Sequence, residues 1–273
     1  MSLFTVTRHE WKMSMRSRWM MIFAFLFTVL AAIILFFGNE TAKSGYEGFS
    51  RMTANLLNLS LFLIPLLTLL IGSLLFSGEK EDGRLALLMT YPISPFSLIA
   101  GKYTGLFLSL SIVLLLGYSV SGILLLFFGG AAFSLLLLFF FLSLFLTMMF
   151  LSISMLIGVL ANSRLHALGL GIFCWAFFVL FYEFIIMALT TMAPPNSVLP
   201  ILTISVFLNP VELIRVFTVI FLGSGTVFGP TIYDFTIWAE SGWGTFMFFV
   251  SCLLWTVIPL VMANILLKRG NKV

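Results

Sequence analysis

Long apolar runs alternate with short polar breaks along this chain. An α-helix needs about 20 mostly apolar residues to cross the hydrocarbon of a bilayer. Six runs reach that scale: Trp19–Phe37, Leu56–Phe76, Tyr103–Phe128, Phe133–Leu160, Leu168–Met192 and Thr245–Leu267. The first is too long for the apolar core of a signal peptide, and Gly38-Asn39-Glu40 behind it offers no small-x-small cleavage site, so it reads as a retained span.

The breaks differ in kind. Gly129-Gly130 predicts a tight hairpin between the third and fourth spans, and Asn162-Ser163-Arg164-Leu165-His166 a short turn between the fourth and fifth. His166 has no second His, Cys or carboxylate beside it and reads as a solvated loop histidine. The long break Ala193–Gly244 contains "LNPVELIRVF", a helix start with Asn209 as N-cap, Pro210 at the first helical position and Glu212 at the capping-box position. Leu213, Ile214, Phe217 and Phe221 then share a face, which predicts an amphipathic helix in the outer leaflet or packed over the spans. Phe4, Trp11 and Met15, with Arg8, Lys12 and Arg16 nearby, predict an amino-terminal helix on the inner membrane surface.

One break is strongly charged. In "GEKEDGRLALLMTYPISPFSLIAGK", Gly78 to Lys102, a short helix from Asp82 carries Leu85, Leu88 and Met89 on one side and ends at Tyr91-Pro92. Ser94-Pro95 then starts the helix that becomes the third span. A structured polar knob of this kind suits the docking of another protein.

Charge sets the expected orientation, because basic residues collect on the cytoplasmic side. With the amino terminus inside, Arg8, Lys12, Arg16, Arg18, Lys80, Arg84, Lys102, Arg164, Lys268, Arg269 and Lys272 face the cytoplasm, against Lys43, Arg51 and Arg215 outside. Both termini and the charged break are then cytoplasmic. Of 273 residues, 61% are hydrophobic and 9% charged, where a soluble domain carries about a quarter charged. The fold class is therefore an all-α polytopic membrane protein, read as one domain over 1–273. The net charge of +4 follows from where the basic residues flank the bilayer and implies no nucleic acid. Cys174 and Cys252 fall near opposite leaflets and read as small buried hydrophobes.

The candidate chemistry is sparse, and no catalytic, cofactor or metal site is implied. A phosphate-binding loop needs Gly-x4-Gly-Lys-[Ser/Thr], whereas Gly101-Lys102 is followed by Tyr103 and has Phe96 where the first glycine belongs. Any ATP hydrolysis must come from another subunit. Glu183 lies about 22 Å into the fifth span from Leu168 at the helical rise. A bare carboxylate there costs at least about 2.5 kcal/mol, so it is protonated, hydrogen-bonded to a Ser or Thr on another span, or facing a watery path with Met187 four residues on. An ion-coupled secondary transporter would carry several such groups, and an intramembrane metalloprotease would need clustered His and carboxylate ligands. Met148, Met149, Met155, Met187 and Met192 are soft ligands suited to Cu(I) and equally ordinary packing filler.

The acidic stretch, Gly83, Leu85, Leu88, Pro92-Ile93-Ser94 and Gly101-Lys102 together resemble the cytoplasmic loop after the second span of type-2 ABC exporter permeases. With the basic amino-terminal helix, six spans and an outer helix after span five, the resemblance covers nearly the whole chain. It implies a coupling helix in which Glu79, Glu81, Asp82, Gly83, Arg84, Leu85, Leu88 and Pro92 meet a separate ATP-binding subunit. It also implies two permease copies on two ATP-binding subunits in a bacterial cytoplasmic membrane, with Glu183 and Met187 as candidates for the path. Within the family, "GEKEDGRLALLMTYP", Glu183 in "FVLFYEF" and "LNPVELIR" look most similar to the permeases that serve assembly of the copper centre of nitrous oxide reductase. That likeness implies an outer β-helical accessory subunit and leaves copper, a sulfur species or another precursor as the substrate. A generic exporter of drugs, ions or lipid-like molecules stays open beside it.

Overall fold

The computed structural model describes residues 3–38, 51–90, 94–127, 133–223 and 233–270, and every regular element among them is a helix. In chain order these are α1 (Leu3–Met15), α2 (Arg18–Gly38), α3 (Arg51–Glu81), α4 (Arg84–Thr90), α5 (Pro95–Phe127), α6 (Phe133–Leu160), α7 (Arg164–Ala176), α8 (Tyr182–Met192), α9 (Pro195–Leu208), α10 (Pro210–Phe221), α11 (Tyr233–Glu240) and α12 (Gly242–Gly270), with a π-helical turn, Phe177–Phe181, joining α7 to α8. Of the sequence expectations, Lys43, Pro92 and the Gly129-Gly130 hairpin lie outside the described residues.

Five segments are long and apolar enough to cross a bilayer: α3, α5, α6, the continuous α7–α8 and α12. The 21-residue α2 makes the sixth, about 31 Å long at the helical rise, and meets α1 at a 64° bend. These are the six expected runs, lengthened where helices continue past the apolar stretch. α3 carries on to Glu81, and α5 begins at Pro95, where Ser94 Oγ accepts the Ser97 N–H at 3.1 Å.

Small residues let the spans approach, as membrane helices require when lipid is as apolar as leucine. A Cβ on Gly72 of α3 would lie 2.0 Å from Ser154 Oγ of α6, and one on Gly158 of α6 would lie 2.7 Å from Phe76 Cβ of α3. Hydroxyls add polar ties: Tyr118 Oη of α5 is 2.9 Å from Ser60 Oγ of α3 and 2.8 Å from Ser143 Oγ of α6. Span five is the outlier. Only 6% of the apolar window of α7–α8 is buried, against 61% for α3 and for α6.

The break Ala193–Gly244 departs from its expected form as a loop with one helix, because it also contains α9 and α11. Pro195 is at the first helical position of α9, where proline is favoured, and Pro200 lies inside the helix, where its missing N–H opposes it. α9 and α10 fold back on each other at 108°. α10 is packed into the bundle rather than lying on a leaflet: Val211, Leu213, Ile214, Val216, Phe217, Val219 and Ile220 are buried, while Phe221 at its end is 39% exposed.

Candidate functional site

Two polar constellations stand out, one at the α3–α4–α5 end of the bundle and one at α8–α10. At the first, Gly83 takes a φ of 73°, turning the chain from α3 into α4, a conformation glycine adopts at little cost. Just before it, Lys80 and Glu81 grip the turn between α6 and α7. Lys80 Nζ donates to Val159 O at 3.2 Å, Ala161 O at 3.0 Å and Asn162 Oδ1 at 3.1 Å, satisfying the carboxyl end of α6. Glu81 Oε2 accepts the Arg164 N–H at 2.7 Å at the amino end of α7, and Ser163 Oγ accepts the His166 N–H at 3.2 Å as N-cap. A cation at one helix's carboxyl end and an anion at the next one's amino end match the signs of both helix dipoles. Arg164 Nη2 also donates to Asp82 Oδ1 at 2.8 Å and Oδ2 at 2.7 Å. The hydrogen bond from Arg84, with the charges of Arg164 and Arg84 beside it, holds the Asp82 carboxyl below its ordinary 3.8 against an opposing desolvation.

One layer deeper, Lys102 Nζ of α5 donates to Glu10 Oε2 of α1 at 2.8 Å and Glu79 Oε1 of α3 at 2.7 Å. The three side chains are 5%, 4% and 11% exposed. α1 can seat this closely because α5 offers glycines: a Cβ at Gly105 would lie 2.7 Å from Glu10 Cβ and 2.8 Å from Thr7 O. Thr7 and Thr104 hydroxyls meet at 2.9 Å. The expected apolar stripe of α1, Phe4, Trp11 and Met15, faces outward at 73%, 39% and 36% exposure.

The residues named from the sequence for partner contact therefore divide. Glu79 and Leu85 point inward, Leu88 is half-buried, and Glu81, Asp82, Gly83 and Arg84 are exposed. Leu87, not singled out by the stripe, projects at 65% exposure.

The second constellation forms where the π-helical turn ends. A π turn displaces the regular ladder and often marks a functional position. Here Asn209 Nδ2 donates to Phe178 O at 2.9 Å while Asn209 Oδ1 accepts the Val211 N–H at 2.9 Å, so one buried side chain ties span five to the start of α10. Glu183, in the first turn of α8, receives a hydrogen bond from Arg215 Nη1 of α10. Glu212 Oε1 lies 3.1 Å from the same nitrogen but off its N–H direction, an ion pair without a hydrogen bond. The expected partner of Glu183 was a hydroxyl on another span. The partner found is a guanidinium, which reaches it only because α10 folds under span five. The Glu212–Arg215 spacing on one helix was readable in the sequence, whereas Glu183 lies 32 residues from Arg215 along the chain. Glu183 and Met187 line a cavity of about 340 Å³ with Thr190, Thr203, Glu212 and Arg215.

This architecture, apolar spans with a polar knob at one end, is that of a polytopic all-α membrane protein. The sequence profile of the ABC-2 family transporter proteins matches residues 4–271, and the chain belongs to that family. It is similar to two relatives, each named "Probable ABC transporter permease protein NosY". One is from Pseudomonas aeruginosa, 28% identical over 277 residues, and the other from Stutzerimonas stutzeri, 28% identical over 276 residues; each alignment covers 98% of both chains.

Proposed function

We propose that this chain is the permease subunit of an ABC exporter of the NosY type, moving a precursor needed for the copper centre of nitrous oxide reductase across the bacterial cytoplasmic membrane. A separate cytoplasmic ATP-binding subunit drives it, docked at α4, and two permease copies work on two such subunits. The observation that carries the docking reading is the charged end of α3 leading into α4, tied to the α6–α7 turn by Lys80, Glu81 and Asp82, in a chain whose sequence has no phosphate loop. Leu87→Asp should leave membrane insertion intact and lower recovery of the ATP-binding subunit on co-purification. Unchanged recovery with unchanged coupled hydrolysis would sink the docking reading.

Span five supports the rest. Its exposed apolar faces suit a seam with a second copy, and the Glu183–Arg215 pocket beside it suits the path. An outer accessory subunit has the α9–α11 segment to contact. A clean deletion should still yield exported, folded nitrous oxide reductase lacking its copper–sulfur centre, and fully metallated enzyme would return the function to a generic exporter. At Glu183, a path role predicts that Gln abolishes transport in a complex that assembles normally. A structural role predicts that Gln is tolerated and Leu destabilises.

A further inference from the structure

Span five changes its hydrogen-bond ladder partway along, and its two halves are fixed on different neighbours. α7 is tied to α3: Trp175 Nε1 donates to Phe62 O at 3.0 Å, and the Trp175 and Phe62 rings meet edge to face at 4.8 Å. α8 is tied to α9 and α10: Tyr182 Oη donates to Ser205 O at 2.8 Å, and Glu183 receives the bond from Arg215. Between the halves, the Phe177 N–H still reaches Phe173 O, an α-helical bond. The Tyr182 N–H instead passes over Phe178 O and reaches Phe177 O, one residue further back than an α-helix allows. Phe178 O has thus lost its α-helical donor, and a carbonyl left bare among apolar spans is costly. Asn209 Nδ2 supplies the donor at 2.9 Å, from a fully buried side chain whose Oδ1 is already committed to the Val211 N–H.

The π turn decides which way the second half of the span faces. One residue of an α-helix is about 100° of rotation. If span five ran on from α7 as a plain α-helix, Tyr182 would take the place that Glu183 holds. Glu183 would then turn by that angle away from Arg215. The cavity of about 340 Å³ that Tyr182, Glu183, Met187, Thr203, Glu212 and Arg215 line would lose the Glu183 carboxylate.

We propose that Asn209 is a positioning residue: by holding the π turn it fixes the register of α8 and so keeps Glu183 on Arg215 in the cavity. Its bearing on transport rests on the path reading above. The test uses the complete complex in nanodiscs, with Cys174 and Cys252 replaced by alanine and the pair Glu183→Cys/Arg215→Cys bridged by a short bis-methanethiosulfonate reagent. The pair should bridge in this parent, and absence of bridging there would overturn the contact and the proposal with it. Asn209→Ser keeps a helix cap but is too short to reach Phe178 O, and should lose the bridging or fail to assemble. Deleting Phe181, a residue of the turn that is 57% exposed, leaves a plain α-helix with both halves in register. In the Asn209→Ser variant that deletion should restore whichever was lost. Bridging in Asn209→Ser equal to the parent's would overturn the proposal, and so would a deletion that restores neither bridging nor assembly. With Glu183 and Arg215 native, Asn209→Ser should yield nitrous oxide reductase lacking its copper–sulfur centre, regained on deletion of Phe181. Loss and recovery of bridging as expected, with fully metallated reductase in Asn209→Ser, would leave the positioning of Glu183 standing and overturn the path reading.

Discussion

Removing Lys102 is the most demanding test of this architecture. Its ammonium is the shared partner of two carboxylates from two other helices, and all three side chains are at least 89% buried. Lys102→Met keeps the length and apolar stem and deletes the charge. Glu10 and Glu79 would then face each other with no cation, and Glu79 Oε2 already has no hydrogen-bond partner. Breaking a buried pair in this way costs about 3–5 kcal/mol, because the stranded charge keeps its desolvation penalty. At roughly 2–4 °C per kcal/mol for a large domain, the apparent melting midpoint should fall by about 6–20 °C. The variant Glu10→Gln/Glu79→Gln/Lys102→Met removes every buried charge and should recover most of that loss, since replacing a buried ion cluster by neutral groups is often close to neutral. Glu79→Gln alone should be the mildest change, as Lys102 keeps Glu10. The assay is thermal unfolding of purified permease in detergent or nanodiscs, followed by size-exclusion recovery. A wild-type midpoint for Lys102→Met, or a triple variant less stable than the single one, would refute the reasoning.

Other outcomes follow from the same contacts. Gly105→Val should push α1 off α5, costing about 1–3 kcal/mol as overpacking does, and should abolish the disulfide that Thr7→Cys/Thr104→Cys forms across their 2.9 Å approach; an unchanged crosslink would contradict the packing. Asn209→Ala removes a helix cap and strands Phe178 O, and should lower stability by about 2 kcal/mol, with Asn209→Asp restoring the cap but not the second bond. Reversing the pair as Glu183→Arg/Arg215→Glu should recover complex assembly that Arg215→Glu alone loses, read by size-exclusion chromatography. The depressed Asp82 carboxyl contributes its clamp fully above the ordinary 3.8 and loses it only as pH falls through the lower folded value. Asp82→Asn should therefore weaken the clamp, read as a lower thermal unfolding midpoint, by the same amount at every pH from about 5 to 8.

The spans were legible because a run of about 20 apolar residues has one stable fate in a bilayer. The short helix after Asp82, the Ser94-Pro95 start and the Asn209 cap were legible because each rests on residues within one turn of the chain. What escaped was non-local. α9 hides behind Pro200, which local rules treat as a break, and its hairpin with α10 is held by contacts far along the chain, such as Trp255 Nε1 donating to Phe207 O at 3.0 Å and Phe217 packing on Phe248. Glu79 looked like surface charge because its neighbours are charged. That it turns inward depends on Lys102, 23 residues on, and on Glu10, which a stripe of Phe4, Trp11 and Met15 gave no reason to bury.

The inward turn changes what the charges of this chain are for. Among the described carboxylates, Glu10, Glu79, Glu81, Asp82, Glu183 and Glu212 each contact a basic residue's side chain or backbone within the chain. Apolar spans in lipid gain no hydrophobic energy by packing on one another, so pairing specific helices falls to small residues and to directed polar contacts. The carboxylates stand where that need is greatest: where α1 meets α3 and α5, where α3 meets the α6–α7 turn, and where span five meets α10. Span five, the least buried of the spans, is thus held by polar contacts at its start, by Glu81 and Asp82 at Arg164, and again along its length, by Arg215 at Glu183 in the first turn of α8. A motion imposed on the α4 knob has a direct polar connection into the first turn of α7, and through that helix to the pocket at Glu183. If span five carries the stroke, Arg164→Met should uncouple ATP hydrolysis from transport in a complex that still assembles, with hydrolysis retained and transport lost. Loss of both in equal proportion would assign Arg164 to assembly alone and leave the stroke to another helix.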